Sequence, residues 1–183
     1  MPTIGLVPHR PQILLLIDEW HWAFHTIARA IERHLSDRFA FTILCTEDKP
    51  SIDAERFNII HVFFETETYH RRFLIGKNRV VKGVYSHHWE LAGKSADTFY
   101  AESLHEAHAV AVPSLKLFRA LSSIPCPLHL FPEGVDTAVF RPVAGTARTV
   151  AVAWAGSDIP IKRLDILRDA CDGLLPLHTA INR

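Results

Sequence analysis

The chain of 183 residues is 48% hydrophobic and 22% charged, enough to bury a core and too apolar to be disordered. Its 20 Lys and Arg balance 20 Asp and Glu, which sets aside a nucleic-acid binder, since such domains carry a strong basic excess. Three cysteines without a CxxC pair set aside a disulfide framework and fit reduced thiols, so a cytoplasmic location is expected.

In chain order, residues 12–17 (QILLLI) read as a buried strand, too short to span a bilayer. His9 and Arg10 precede it and Asp18 and Glu19 close it, so it is not read as a secretory signal. Residues 22–35 place Ala23, Ile27, Ala30 and Ile31 near one helical face, with Arg29, Glu32 and Arg33 outward. A second strand is expected over 40–45. The third, over 57–64 (FNIIHVFF), is apolar throughout, as suits a strand covered on both faces. A short helix is expected over 66–75, a strand over 79–85, a helix over 95–108 and a strand over 109–112. Pro113 ends that strand and opens a helix through Leu121, and 128–131 form one more strand. The alternation predicts an α/β, Rossmann-like domain: a parallel sheet with helices on both faces. Ligands of such sheets sit beyond the strand carboxyl ends, which singles out 18–25, 65–68, 86–90 and 132–136.

The first domain is expected over 1–142, followed by a small, turn-prone linker over 143–148 (VAGTAR). The pattern restarts with a strand over 149–156, a helix over 162–171 and the beginning of a strand in LPLHTAI. One strand and one helix cannot bury themselves, so 149–183 is expected to be the truncated start of a second α/β domain.

Four segments carry a resemblance: VVKGVYSHHWEL (80–91), AHAVAVPSLKLFRAL (107–121), PEGVDTAVFRP (132–142) and VAWAGSDIPIKRLDILRDA (152–170). In this order they resemble the retaining glycosyltransferases of family four, which have the two-domain GT-B fold. The resemblance implies that 1–142 bind the acceptor and that 149–183 begin the nucleotide-sugar domain. It implies transfer of a sugar from a nucleotide-sugar donor to a glycan or lipid-linked acceptor with retention, needing no divalent metal and no cofactor. The chain departs from the family at Glu133, Ser157 and Arg163, where relatives carry Asn, Arg and Gly. DEWHWAF (18–24) stands where many relatives have a glycine-rich loop. The glutamate pair that grips the donor would lie beyond Arg183, so the chain alone is expected to be inactive.

The same resemblance suggests roles. His87 would hydrogen-bond a sugar hydroxyl or the transferring group. Asp18 and His21 would orient the acceptor or act as a base. Lys162, at an expected helix start, and Gly156 would meet the donor diphosphate. Glu133, Gly134 and Asp136 would form a hinge turn facing the cleft, with Gly134 at positive φ, Asp136 capping the turn and Phe140 as a buried plug. Glu65 and Glu67 read as helix N-terminal charge. Glu102 with His105, and His21 with His25, have ligand-like spacing but lack the partners a metal site needs. The basic residues of 70–82 read as a solvated face or as a peripheral contact with an anionic membrane. The rival of another class is a non-catalytic Rossmann-like module that binds a glycan or a protein. A sugar-nucleotide epimerase of the same two-domain architecture is a third reading.

Overall fold

The structure, a computed structural model, describes residues 10–65, 79–137, 141 and 151–182. It divides into two compact units, Met1–Asp136 and Thr137–Arg183. The expected linker, Phe140 and the helix expected over 66–75 lie outside the described residues.

The first unit runs β1 (Gln12–Ile17), α1 (Ala23–Leu35), β2 (Ala40–Cys45), β3 (Ile59–Val62) and β4 (Arg79–Gly83). It continues with α2 (His88–Leu91), α3 (Ala96–Phe99), β5 (Ala109–Val112), α4 (Leu115–Ala120) and β6 (Leu128–Leu130). The six strands are all parallel, in the order β2-β1-β3-β4-β5-β6. This is an α/β, Rossmann-like sheet. From β1 the chain steps outward to β2, then returns past β1 to β3 and continues in that direction. Because parallel crossovers are right-handed, the first connection lies on one face and the later ones on the other.

The register shows the two faces directly. Leu15, His61, Val81 and Ala109 align across four strands on one face, while Leu14, Ile60 and Val80 align on the other. In β1, Leu14, Leu15, Leu16 and Ile17 are all fully buried, which is why this strand is an unbroken apolar run. A second cluster joins Val84, Trp89, Phe99, Leu104, Val110, Val112, Leu117 and Leu121, with Trp89 stacked on Phe99 at 5.2 Å between centroids. The α1 face is less complete. The helix packs on β1 and β2, and beyond it Ile59, His61, Val81, Ala111 and Phe131 border an apolar groove of about 340 Å³.

The helix expected over 95–108 is interrupted. Ser95 caps α3 by accepting from the Thr98 amide, and Tyr100–Leu104 then widens into a π-helical turn. The Ser103 carbonyl of that turn accepts a hydrogen bond from Lys82 Nζ, and Lys82 is fully buried. Lys82 therefore belongs to the interior and takes no part in a solvated or membrane-facing surface. Arg79 is exposed, and 70–78 lie outside the described residues. Among the described residues no helix is long and apolar enough to cross a membrane.

The second unit contains β7 (Val152–Ser157), a 3₁₀ turn (Pro160–Lys162), α5 (Leu164–Cys171) and β8 (Leu177–Asn182), with β7 and β8 paired in parallel. Arg163 takes φ 48° and separates the turn from α5, so the helix begins two residues later than the periodicity suggests.

Candidate functional site

In the first unit the topology reverses at β1, with β2 on one side and β3 on the other. At such a switch point the connections leave in opposite directions, opening a crevice beyond the strand carboxyl ends. Asp18 to His25 leave β1 at this edge, Glu65 follows β3, and Ser86 and His87 follow β4. Two strand spacings, about 10 Å, separate β1 from β4, with β3 between them.

After β1 the backbone is tied down. The Asp18 carbonyl accepts from Cys45 Sγ at 3.1 Å and from Thr46 Oγ1 at 3.4 Å, and Asp18 Oδ1 accepts from the Glu19 amide at 2.8 Å. Trp20 Nε1 donates to Asp48 Oδ2 at 2.7 Å. His21 sits at φ 63°, the left-handed region that costs a residue with a Cβ about 1–2 kcal/mol. Its amide donates to His25 Nδ1 at 3.0 Å, which fixes the His25 proton on Nε2 when the ring is neutral. Burial, then the neighbouring His21 and Arg29, hold the His25 pKa below its ordinary value. Trp20 and His21 both meet His25 edge-on, at 5.0 and 5.4 Å. His21 and His25 thus hold each other by a hydrogen bond and ring contact, and neither is part of a group that could hold a metal. Among the described residues no such group of three or more ligands occurs. Glu102 pairs with Lys94 and His105 lies near Glu106.

His87 immediately precedes α2, half-buried, with Nδ1 2.5 Å from Glu90 Oε2. A carboxylate only accepts, so Nδ1 carries the proton and a neutral ring presents Nε2 as an acceptor. His88 is exposed in the first position of α2. Ser86 Oγ donates to Glu65 Oε1 at 3.3 Å, bridging the ends of β3 and β4. Burial raises the Glu65 pKa, partly offset by the Ser86 bond and by the charges of His88 and Lys82. Sequence reasoning took Glu65 for helix N-terminal charge. Its pairing with Ser86 depends on β3 and β4 being neighbours, which no local pattern records.

Residues 131–136, after β6, lie along α1 and enclose a mostly apolar cavity of about 350 Å³ with Ile27, Ala30, Ile31, His34 and Leu35. Asp136 Oδ2 accepts from Arg33 Nη1 at 2.8 Å, an ion pair with α1. Glu133 lies close enough to Tyr85, at the end of β4, that its charge adds to the burial that raises the Tyr85 pKa. Gly134 is a correction: it does not take positive φ, and a Cβ there would meet nothing within 4 Å. The stretch carries no tight turn at Gly134, so no left-handed residue is required. Gly134→Ala is accordingly expected to leave stability unchanged or raise it by up to about 1 kcal/mol, measured by urea unfolding.

In the second unit Lys162 is exposed at the end of the 3₁₀ turn, not at the start of α5. The open cavity beside α5, about 650 Å³, is lined instead by Asp158, Pro160, Arg163, Asp165 and Arg168, with Arg163 paired to Asp165 and Arg168 to Asp158. Gly156, at φ 155°, does need to be glycine. A Cβ there would come within 3.3 Å of the Trp154 ring, in a backbone conformation rare for any side chain. Gly156→Ala is expected to cost about 1–3 kcal/mol, readable as a lowered midpoint of thermal unfolding.

A parallel sheet whose polar side chains gather beyond the carboxyl ends at a switch point places this protein in the α/β, Rossmann-like class. No protein-family model, no curated protein and no solved structure matches the chain.

Proposed function

We propose that the protein is a retaining, GT-B-type glycosyltransferase that moves a sugar from a nucleotide-sugar donor to a glycan or lipid-linked acceptor. The first unit supplies the acceptor side and Thr137–Arg183 begin the donor side. The observation that carries this reading is His87, which follows a central parallel strand and immediately precedes α2, its Nδ1 held by Glu90 so that Nε2 is left to a ligand. An imidazole so oriented can accept a sugar hydroxyl proton or, protonated, donate to the transferring group. Asp18 follows β1, its Oδ1 engaged by the Glu19 amide, with a second oxygen to receive an acceptor hydroxyl. On the donor side, Gly156 at the end of β7 and Lys162, exposed at the end of the 3₁₀ turn, are the residues for the donor diphosphate.

The test is to incubate the full gene product with UDP-, GDP- and ADP-sugars and follow release of the nucleoside diphosphate. Turnover that depends on His87 supports the proposal. Saturable binding of a nucleotide sugar or glycan without turnover would instead make the protein a binding module.

A further inference from the structure

The stretch between β4 and α2, residues 84–87, has no regular structure, yet it is the stretch that presents His87. No helix or strand ladder sets its path, so the aim of the His87 ring depends on contacts from neighbouring elements. The Val84 amide starts it, donating to the Ala111 carbonyl of β5 at 2.9 Å. The His87 carbonyl ends it, accepting from the Leu91 amide at 3.1 Å. Between these two anchors the hold comes from the exit of β3. The Tyr85 ring turns back onto Phe24 and Phe63, at 4.9 and 6.4 Å between centroids. Gly83 leaves room for this, since a Cβ there would collide with the Tyr85 ring. Ser86 Oγ, next in the chain, donates to Glu65 Oε1 at 3.3 Å. Phe63 and Glu65 thus grip the exit of β4 at two points, one apolar and one polar.

Of the two, Glu65 is the member that packing alone does not explain. A carboxyl drawn partly out of water costs stability, and burial raises its pKa against the pull of Ser86, His88 and Lys82. A group kept under that penalty at the carboxyl end of a central strand is a candidate for a part in the site. Its printed bond goes to Ser86, one residue before His87, and so its effect reaches a ligand through the imidazole. We infer that Glu65 is a positioning residue: through Ser86 it fixes the 84–87 stretch so that His87 Nδ1 meets Glu90 and Nε2 is left to the ligand. This rests on the reading of His87 as the group that meets the ligand, and it adds β3 to the elements that build the site.

The experiment reads the His87 ring directly. Imidazole nitrogen signals of the full gene product, recorded by NMR at about pH 8 where an ordinary histidine is neutral, report which nitrogen carries the proton. Comparison with His87→Ala assigns them. His87 should be mainly in the Nδ1–H form, because Nδ1 donates to Glu90. Glu65→Ala and Ser86→Ala remove the same bond from opposite sides, and each should move the ring toward a mixture with the Nε2–H form. Glu65→Gln keeps an oxygen for the Ser86 hydroxyl and should stay close to the unaltered protein. Turnover of a nucleotide sugar should follow the same order, falling by about 10-fold or more in the two alanine variants, as expected of a misplaced group. Signals of the other histidines report whether a variant has folded, and Ser86→Ala carries the test if Glu65→Ala has not. An unchanged His87 tautomer in Ser86→Ala, or a ring as altered in Glu65→Gln as in Glu65→Ala, would overturn the inference. If nucleotide sugars are still turned over in that case, the positioning role alone has failed. If the tautomer shifts as expected and no nucleotide sugar is turned over, Glu65 still aims His87 and the transferase reading falls.

Discussion

His87→Ala is expected to lower nucleotide-sugar turnover by the full gene product by about 10²–10⁴-fold, the usual worth of a positioned proton-transfer or orienting group. The same substitution should change unfolding free energy little, by about 0.5 kcal/mol or less, because the ring is half-buried at the end of a strand and outside the apolar core. Glu90→Gln separates orientation from charge. It leaves an amide oxygen that can still accept from Nδ1 but removes the negative charge, so turnover should fall less than in His87→Ala. His88 is the internal control, since it is exposed on the first turn of α2. Normal turnover in His87→Ala together with loss in His88→Ala would show that the neighbouring imidazole faces the ligand.

Lowering the pH from 6.5 to 4 is expected to remove about 3 kcal/mol of stability through His61 alone. Its Nε2 is sealed from solvent without a hydrogen-bond partner, although part of the side chain borders the open groove on the α1 face. The ring packs against Phe63 at 4.3 Å, and burial pulls its pKa down from 6.5 to about 4. The folded protein therefore keeps His61 neutral while the unfolded chain takes up a proton. Stability is fully present above pH 6.5, falls as the pH drops towards 4, and loses nothing further through this group below that. Urea unfolding at a series of pH values measures the slope. His61→Leu removes both the titration and the unpartnered nitrogen, so it should flatten the profile in this window and raise stability at pH 5. A slope unchanged in His61→Leu would assign the acid sensitivity to other groups.

The strands were the most legible part of this chain. β1 and β2 have the bounds that the apolar runs suggest, and β5 ends at Pro113 as expected, because a buried parallel strand must be apolar on both faces and a proline cannot extend the ladder. Helix ends were read less well. The periodicity of 162–171 does not register that Arg163 adopts a left-handed conformation, and that of 95–108 does not register a π turn held to a buried lysine. Gly134 shows the limit of composition as a guide. A glycine between Glu133 and Val135 looks like a turn, yet the segment runs along α1 without one.

For the candidate site, the sequence by itself determined which side chains stand after which strand: Asp18 and His21 after β1, Glu65 after β3, His87 after β4. Strand ends follow from local apolar pattern, and the polar residues beyond them are fixed by chain order. Only the tertiary structure decided which of them meet. Ser86 bonds Glu65 across 21 residues, Trp20 bonds Asp48 across 28, and Arg33 pairs with Asp136 across 103. These contacts depend on strand order and crossover hand, which place distant segments side by side. Helical and strand periodicity extend over only a few residues and contain no record of either.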